Sequence, residues 1–468
     1  MTTAVILFED HSAHQFRPLS WTVPVHEMGC GLFNLRERLG MLCDDRGYVA
    51  GLLPRGALQA LQDLSVPTGW VAGPDAVLAE ARKADRVLLI NGRLSLRWDG
   101  LGSLLDDSSD RVQRDDAGLV LWSGSGERAA SLISHWREWD GRVLESGSWF
   151  NCDNMMEAWT PQLTDPTPAT GAWRHLWERV HDIGPSIVDD ISEVIASGRS
   201  YKRWIFGVRP MAGATPPWRM DQVFHQFTPA AYPAVSRLGD QDLWVGQDVV
   251  IDPGVVLDAR KGPIVCESGV HIEPNATLCG PLSLGAGTLV KSGAVIYGET
   301  AAGPVCKLSG EIAESQLAAY MNKQHAGFLG HAVIGSWVNL GADTTCSDLK
   351  NNYGEIKVNY GAGPIATNSR LLGLMMAEHG KTAIGTTFNT ATTVGVSANV
   401  FSSGFPRTYI PNFAWGDGRG RHFQVERALE TAQIVMSRRS IICSAAHADL
   451  LEKLAKGGDR YGTEQLAT

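Results

Sequence analysis

The chain has 468 residues, 44% of them hydrophobic and 19% charged, enough for two or three domains with separate cores. Its 41 basic and 50 acidic residues leave a formal net charge of −9, which argues against a nucleic-acid partner held by bulk positive charge. No run of roughly 18 apolar residues occurs, so no membrane span is expected; eight cysteines without a CxxC pair point to reduced cytoplasmic thiols rather than to zinc or a disulfide framework.

The first apolar run, Ala4–Phe8, lacks a basic segment before it and predicts a β-strand, not a signal peptide. Further strands are expected at Gly69–Ala72, Arg86–Ile90 and Leu119–Trp122, and helices at Gly31–Leu39 and Asp75–Lys83. This alternation predicts a sheet with helices on its faces. Residues 171–199 predict two helices broken at Gly184-Pro185, a connector between domains. Residues 202–233, with Trp204, Phe206, Trp218, Phe224, Phe227 and Tyr232 among breakers, form an irregular aromatic packing segment.

From Leu243 to Trp415 the chain repeats. Stepping by six from Cys266 gives Ile272, Leu278, Leu284, Val290, Ile296, Ala302 and Leu308, all apolar. Four residues after each come Val270, Ala276, Leu282, Thr288, Ala294, Thr300, Cys306 and Ile312, all small or apolar. An upstream set is Val245, Ile251 and Leu257, with Val249 and Val255. The pattern resumes at Ile334 and Leu340, then at Ile384, Thr390 and Val396, with Phe388, Val394 and Val400 four residues on. A six-residue period fits neither a helix nor an amphipathic strand. It fits a short strand and a turn per hexapeptide, three to a triangular coil, with stacked coils burying one core. This is a single-stranded left-handed parallel β-helix. Cys346–Lys381 breaks the period and reads as a loop leaving the coil, where function commonly sits. After Trp415 a Gly/Arg turn leads to a C-terminal helix. Its face of Ala428, Leu429, Ala432, Val435 and Met436 should pack on the coil or on a neighbouring subunit.

The segment N-K-Q-H-A-G-F-L-G-H-A-V-I-G-S-W-V-N-L-G-A (Asn322–Ala342) resembles the acetyltransferase centre of bifunctional UDP-N-acetylglucosamine pyrophosphorylase/glucosamine-1-phosphate acetyltransferases. Their pattern is K-x-x-H-x-x-Y-L-G-D-A-x-I-G-x-x-V-N-I-G-A-G-T. A variant branch of sugar nucleotidyltransferases is more similar still, through P-L-S-W-T-V-P-V-H-E-M (Pro18–Met28), L-R-E-R-L (Leu35–Leu39) and L-L-I-N-G-R-L (Leu88–Leu94). D-L-K-N-N-Y-G (Asp348–Gly354), H-G-K-T-A-I-G (His379–Gly385) and F-P-R-T-Y-I-P-N-F-A-W-G (Phe405–Gly416) extend that likeness. The resemblance implies a nucleotidyltransferase-like α/β domain over residues 1–165 and a connector over 166–240. An acyltransferase-like β-helix over 241–416 and a helical tail over 417–468 follow. It implies a homotrimer that transfers an acyl group from acetyl-CoA, or another acyl-CoA, to a sugar phosphate, with UTP or dTTP as N-terminal substrates.

By that resemblance His325 is the catalytic base, and an imidazole near pKa ~6.5 suits proton removal at neutral pH. Lys381 matches a residue that contacts the sugar phosphate. Asn339 and Asn389 sit in coil turns beside the site, where they either donate hydrogen bonds to substrate or stack with turn backbone, and Phe328 stands where the family has Tyr. Asp343 and Asp348 replace Gly and Asn, and a carboxylate near a phosphate should weaken its binding. His331 replaces Asp. A zinc site of His325, His331 and His271 is the competing arrangement, disfavoured because the six-residue spacing of the first two is too long and His271 lies several coils away.

In the N-terminal part the Gly-rich phosphate loop of standard nucleotidyltransferases is absent. Arg17 and Arg36 remain as basic candidates for substrate binding. Asn91 stands where the standard enzymes carry a Mg²⁺-binding Asp and is the weaker ligand. Val23 and Gly29 replace two arginines of the similar branch. The expectation is a sugar-nucleotide pathway transferase: acyl transfer at the β-helix, with UDP-N-acetylglucosamine pyrophosphorylase-type nucleotidyl transfer, with Mg²⁺, open at the N-terminal domain. The alternative is a non-catalytic sugar-nucleotide-binding trimeric scaffold or sensor.

Overall fold

The computed structural model describes residues 2–134, 136, 167–168, 171–361 and 363–457. The expected boundary at 165 and Cys152 lie outside them; the described cysteines are free thiols.

The N-terminal sheet has seven strands, labelled β1 (Thr3–Phe8), β2 (Val49–Leu53), β3 (Trp70–Ala72), β4 (Arg86–Asn91), β5 (Arg111–Asp115), β6 (Gly118–Ser125) and β7 (Thr167–Pro168), in the order β3-β2-β1-β4-β6-β5-β7. The first four are parallel, and β6 runs antiparallel to β4. β1 and β4 are buried on both faces, as continuous aliphatic runs require of central parallel strands. Helices α1 (Leu35–Arg46), α2 (Gly56–Gln62), α3 (Pro74–Lys83) and α4 (Trp98–Asp106) join them. α1 starts four residues later than expected because Asn34 caps it: its Oδ1 accepts from the Glu37 N–H at 2.8 Å while Glu37 reaches back to the Asn34 N–H.

The connector holds a 3₁₀ stretch, Leu176–Asp182, running directly into α5 (Ile183–Asp190). Pro185 therefore does not break a helix; it lies in the first turn of one, where a missing N–H is harmless.

From Leu243 to Ile410 the chain winds around three faces, each strand pairing in parallel with the one a full coil later, as in Ile264↔Leu282↔Thr300. This is a β-helix. Every residue of the six-step series from Cys266 to Leu308 is buried, as is every residue four positions after each. Coiling continues where the count lapses, with Ile312 paired to Leu329. Past the loop the expected phase is wrong by two residues. Ile384 is 78% exposed, whereas Thr382, Phe388, Val394 and Val400 face inward. The coil resumes at Met375–Met376, and Met376, Thr382 and Phe388 fall on the same six-residue step as Ile334, Leu340 and Cys346, so the excursion, residues 347–374, leaves the count unshifted and the expected restart at Ile384 departs from it.

That excursion is docked, not free. It carries a hairpin, Lys357–Asn359 with Pro364–Ala366. Ile356, Val358 and Tyr360 pack with Phe16, Leu19 and Trp177, so one core joins the N-terminal loop, the connector and the β-helix. A second junction is ionic. Glu267, fully buried in the coil, accepts from Tyr201 Oη at 2.6 Å and Arg203 Nε at 2.8 Å. The tail forms α6 (Val425–Ser437) and α7 (Ala445–Gly457). Ala428 and Ala432 of the expected face pack on Val396 and Phe413 of the coil, Met436 on Trp337. Among the described residues no helix is long and apolar enough to cross a membrane.

Candidate functional site

On one face of the β-helix, outward side chains stack in register: Lys307, Asn322, Asn339, Lys381 and Asn399. Asn322 Nδ2 donates to Asn339 Oδ1, fixing both amides. Lys381 Nζ donates to the His379 carbonyl at 2.9 Å, and burial lowers its ammonium to about 8. The structure thus brings Asn339 and Lys381 side by side.

His325 sits on the turn that follows this face, residues 324–327, and its side chain is exposed. The turn is tied from inside the prism. Lys323 occupies an inward position between Leu308 and Leu340, is 1% exposed, and donates to the carbonyls of Ser309 (2.8 Å), His325 (3.1 Å) and Gly327 (2.7 Å). The sequence count passed over Lys323; its only signal was a charge within an aliphatic column.

Phe328 opens the next face, half-buried, in register with Glu311. Its ring passes over Gly330, where a Cβ would meet Phe328 Cζ at 2.5 Å and Asp348 Oδ2 at 2.4 Å. Asn389 follows Phe388 on an exposed turn; its carbonyl accepts from Thr392 Oγ1 at 2.8 Å.

Asp348 is not a loose carboxylate. His331 Nδ1 lies 2.7 Å from Asp348 Oδ2, and His331 Nε2 lies 2.6 Å from Glu314 Oε2. Burial pushes the imidazolium down, but the contacts with Asp348 and Glu314 outweigh it and raise the group to about 9. The two substitutions, His331 and Asp348, are halves of one ion pair. Asp348 shares this imidazolium with Glu314, so its carboxylate is partly neutralised and the three groups together keep one negative charge. The three histidines of the competing zinc arrangement are not brought together either. His271 pairs with Asp252 at 2.8 Å, and among the described residues no group of three His, Cys, Asp or Glu is placed to hold a metal.

The N-terminal candidates are all internally bonded. Arg17 is buried, donates from Nε to the His14 carbonyl at 2.8 Å, and lies over the rings of Trp21 and Tyr360. Arg36 pairs with Glu27 at 2.7 Å and donates to the Trp204 carbonyl. Asn91 donates to the Leu119 carbonyl and accepts from the Arg93 N–H. Gly29 abuts the coil; a Cβ there would lie 2.8 Å from Gln316 Nε2, so a larger residue would require that side chain to move. The strand ends do not fit the expected Mg²⁺: Asn91 is spent, Glu9 is held by the Val25 N–H and Arg55, and among the described acidic and amide oxygens at these strand ends only Asp10 Oδ2 is unpartnered. A cavity of about 400 Å³ opens beside Arg36, walled by Trp70, Tyr201, Lys202 and Trp204.

Residues 5–99 match the family model described as sugar nucleotidyl transferase. The sheet from β1 to β4 is the body of that match. Over 166 residues the chain is 31% identical to the bifunctional protein GlmU of Stenotrophomonas maltophilia (strain K279a), covering 29% of this chain. The match spans only 36% of that relative's length.

Proposed function

We propose that the protein is a sugar-nucleotide pathway transferase whose β-helix, left-handed and built of hexapeptides, transfers an acyl group from acetyl-CoA to a sugar phosphate. The carrying observation is the exposed His325, set on a braced turn beside the Asn339–Lys381 pair. His325 takes the proton from the acceptor amine or hydroxyl as it attacks the thioester carbonyl. The new C–N or C–O bond forms, the C–S bond breaks, and the proton passes to the departing thiolate. Lys381 and the asparagines hold the acceptor's phosphate and hydroxyls. These groups lie outside the prism, where a neighbouring copy in a homotrimer would complete the site.

For the N-terminal domain the proposal is sugar-nucleotide binding in the cavity beside Arg36 without turnover. Supporting it are the internal bonds of Arg17, Arg36 and Asn91 and the unfit Mg²⁺ donor set.

The test is thiol release from acetyl-CoA with a panel of hexosamine phosphates, wild type against His325→Ala. The variant should lose at least about 100-fold in kcat; equal turnover in both proteins removes His325 from the chemistry. Pyrophosphate release from UTP or dTTP with hexosamine 1-phosphates and Mg²⁺ should be absent, and measurable release would overturn the binding-only reading.

A further inference from the structure

We infer that Lys323 is the positioning residue of the β-helix site, holding the His325 turn in shape from inside the prism. The inference rests on the acyl-transfer reading above for its catalytic consequence, though not for its structural content.

Three observations carry it. First, Lys323 lies where the coil otherwise demands an aliphatic side chain. The inward column reads Ile272, Val290, Leu308, Lys323, Leu340, with neighbours in register. A lone ammonium there loses its hydration, so it persists only because its three protons are all used. Second, the acceptors are two carbonyls of the turn, His325 and Gly327, and one of the preceding coil, Ser309. The ammonium is therefore a cross-brace between the two turns. Third, the backbone leaves room for it. Gly310, at φ +69°, would place a Cβ 2.7 Å from Lys323 Nζ and 2.6 Å from the Gly327 carbonyl. Among the described residues the exposed His325 side chain has no hydrogen-bond partner, so main-chain support sets where the imidazole can be. Burial lowers Lys323 to about 8, against the raising influence of Glu311 and Asp343, the charged groups facing it.

Two measurements test this on the full-length protein. Amide hydrogen exchange over residues 324–327 of the wild type, corrected for intrinsic rates, should rise at least about 10-fold from pH ~7 to pH ~9.5, as the ammonium loses a proton and one carbonyl loses its donor. Lys323→Arg stays charged and should flatten that rise; unchanged protection across the range, or the same rise in Lys323→Arg, overturns the brace. In the acetyl-CoA assay with glucosamine 1-phosphate, Lys323→Met should lower kcat at least about 10-fold with little change in the KM for acetyl-CoA, with partial recovery in Lys323→Arg. Unaltered kcat in Lys323→Met overturns the positioning role. If the wild type transfers no acetyl group, the acyl-transfer reading fails by itself, and the exchange measurement still decides whether Lys323 holds the turn.

Discussion

Replacing His331 by Gln should uncouple the excursion 347–374 from the coil, with a defined pH signature. His331 is clasped between Glu314 and Asp348, and the clasp closes where the excursion leaves and rejoins: the Gly373 N–H donates to the His331 carbonyl, the Leu372 N–H to that of Asp348. Raising an imidazolium from 6.5 to about 9 corresponds to at most ~3.5 kcal/mol, at about 1.4 kcal/mol per pH unit. Glu314 is 41% exposed, so solvent screening brings the working value to about 2 kcal/mol. The sign follows from the raised pKa. The stabilisation is complete below about 6.5 and is lost as pH rises through about 9. Subtilisin cleavage within the excursion, normalised to an unstructured substrate, reports the open population when reclosing is fast. Wild-type cleavage should rise about 30-fold from pH ~6.5 to pH ~9.5, the equivalent of ~2 kcal/mol. His331→Gln should be cleaved fast at both values, with no such rise. A parallel rise in both proteins would refute the clasp.

Glu267→Gln removes the charge shared by Arg203 and Tyr201 and should destabilise the junction of connector and coil by about 3–5 kcal/mol, read as a drop in the urea midpoint. The corrected coil phase predicts opposite outcomes for two apolar residues four apart. Phe388→Ala should cost about 3–5 kcal/mol, whereas Ile384→Ser, at a 78% exposed corner, should stay within about 0.5 kcal/mol. Thermal melts of both variants check the phase, and a larger loss from Ile384→Ser would reinstate the original register.

The sheet and the first half of the β-helix were legible because each rests on a local rule. Aliphatic runs such as Arg86–Ile90 mark buried parallel strands, and the six-step count from Cys266 marks the prism wall. The second half was less so. The step of six from Ile334 and Leu340 does carry across the excursion, to Met376, Thr382 and Phe388; Ile384 was placed inside because it is aliphatic, where the inward residue is the small polar Thr382. The N-terminal candidates were named from residue type, and Arg36 shows the difficulty: Glu27 meets it where the Val25–Glu27 turn packs on α1, and the Trp204 carbonyl reaches it only through the packing of the connector.

The site changes at His331 and Asp348 show what a coil period could still extract from a sequence. Read one at a time, each is a departure from the motif that the segment resembles. They are 17 positions apart, close to one turn of the prism, and therefore adjacent in space. Asn322 and Asn339 are also 17 apart, Glu273 and Lys291 are 18, and Asp252 and His271 are 19. In a stacked coil these separations play the part that i,i+4 plays in an α-helix: they name the partners. A charge that enters such a chain is thus to be judged against the residues one coil before and after it. On that basis Asp348 comes with a cationic partner one coil earlier, which it shares with Glu314, whereas among the described residues Lys323 has no carboxylate at ion-pair distance in the adjoining coils and is held by carbonyls. The first pattern is an ion pair formed between successive coils. The second is a cost the coil carries for the shape of one turn, and that turn bears His325.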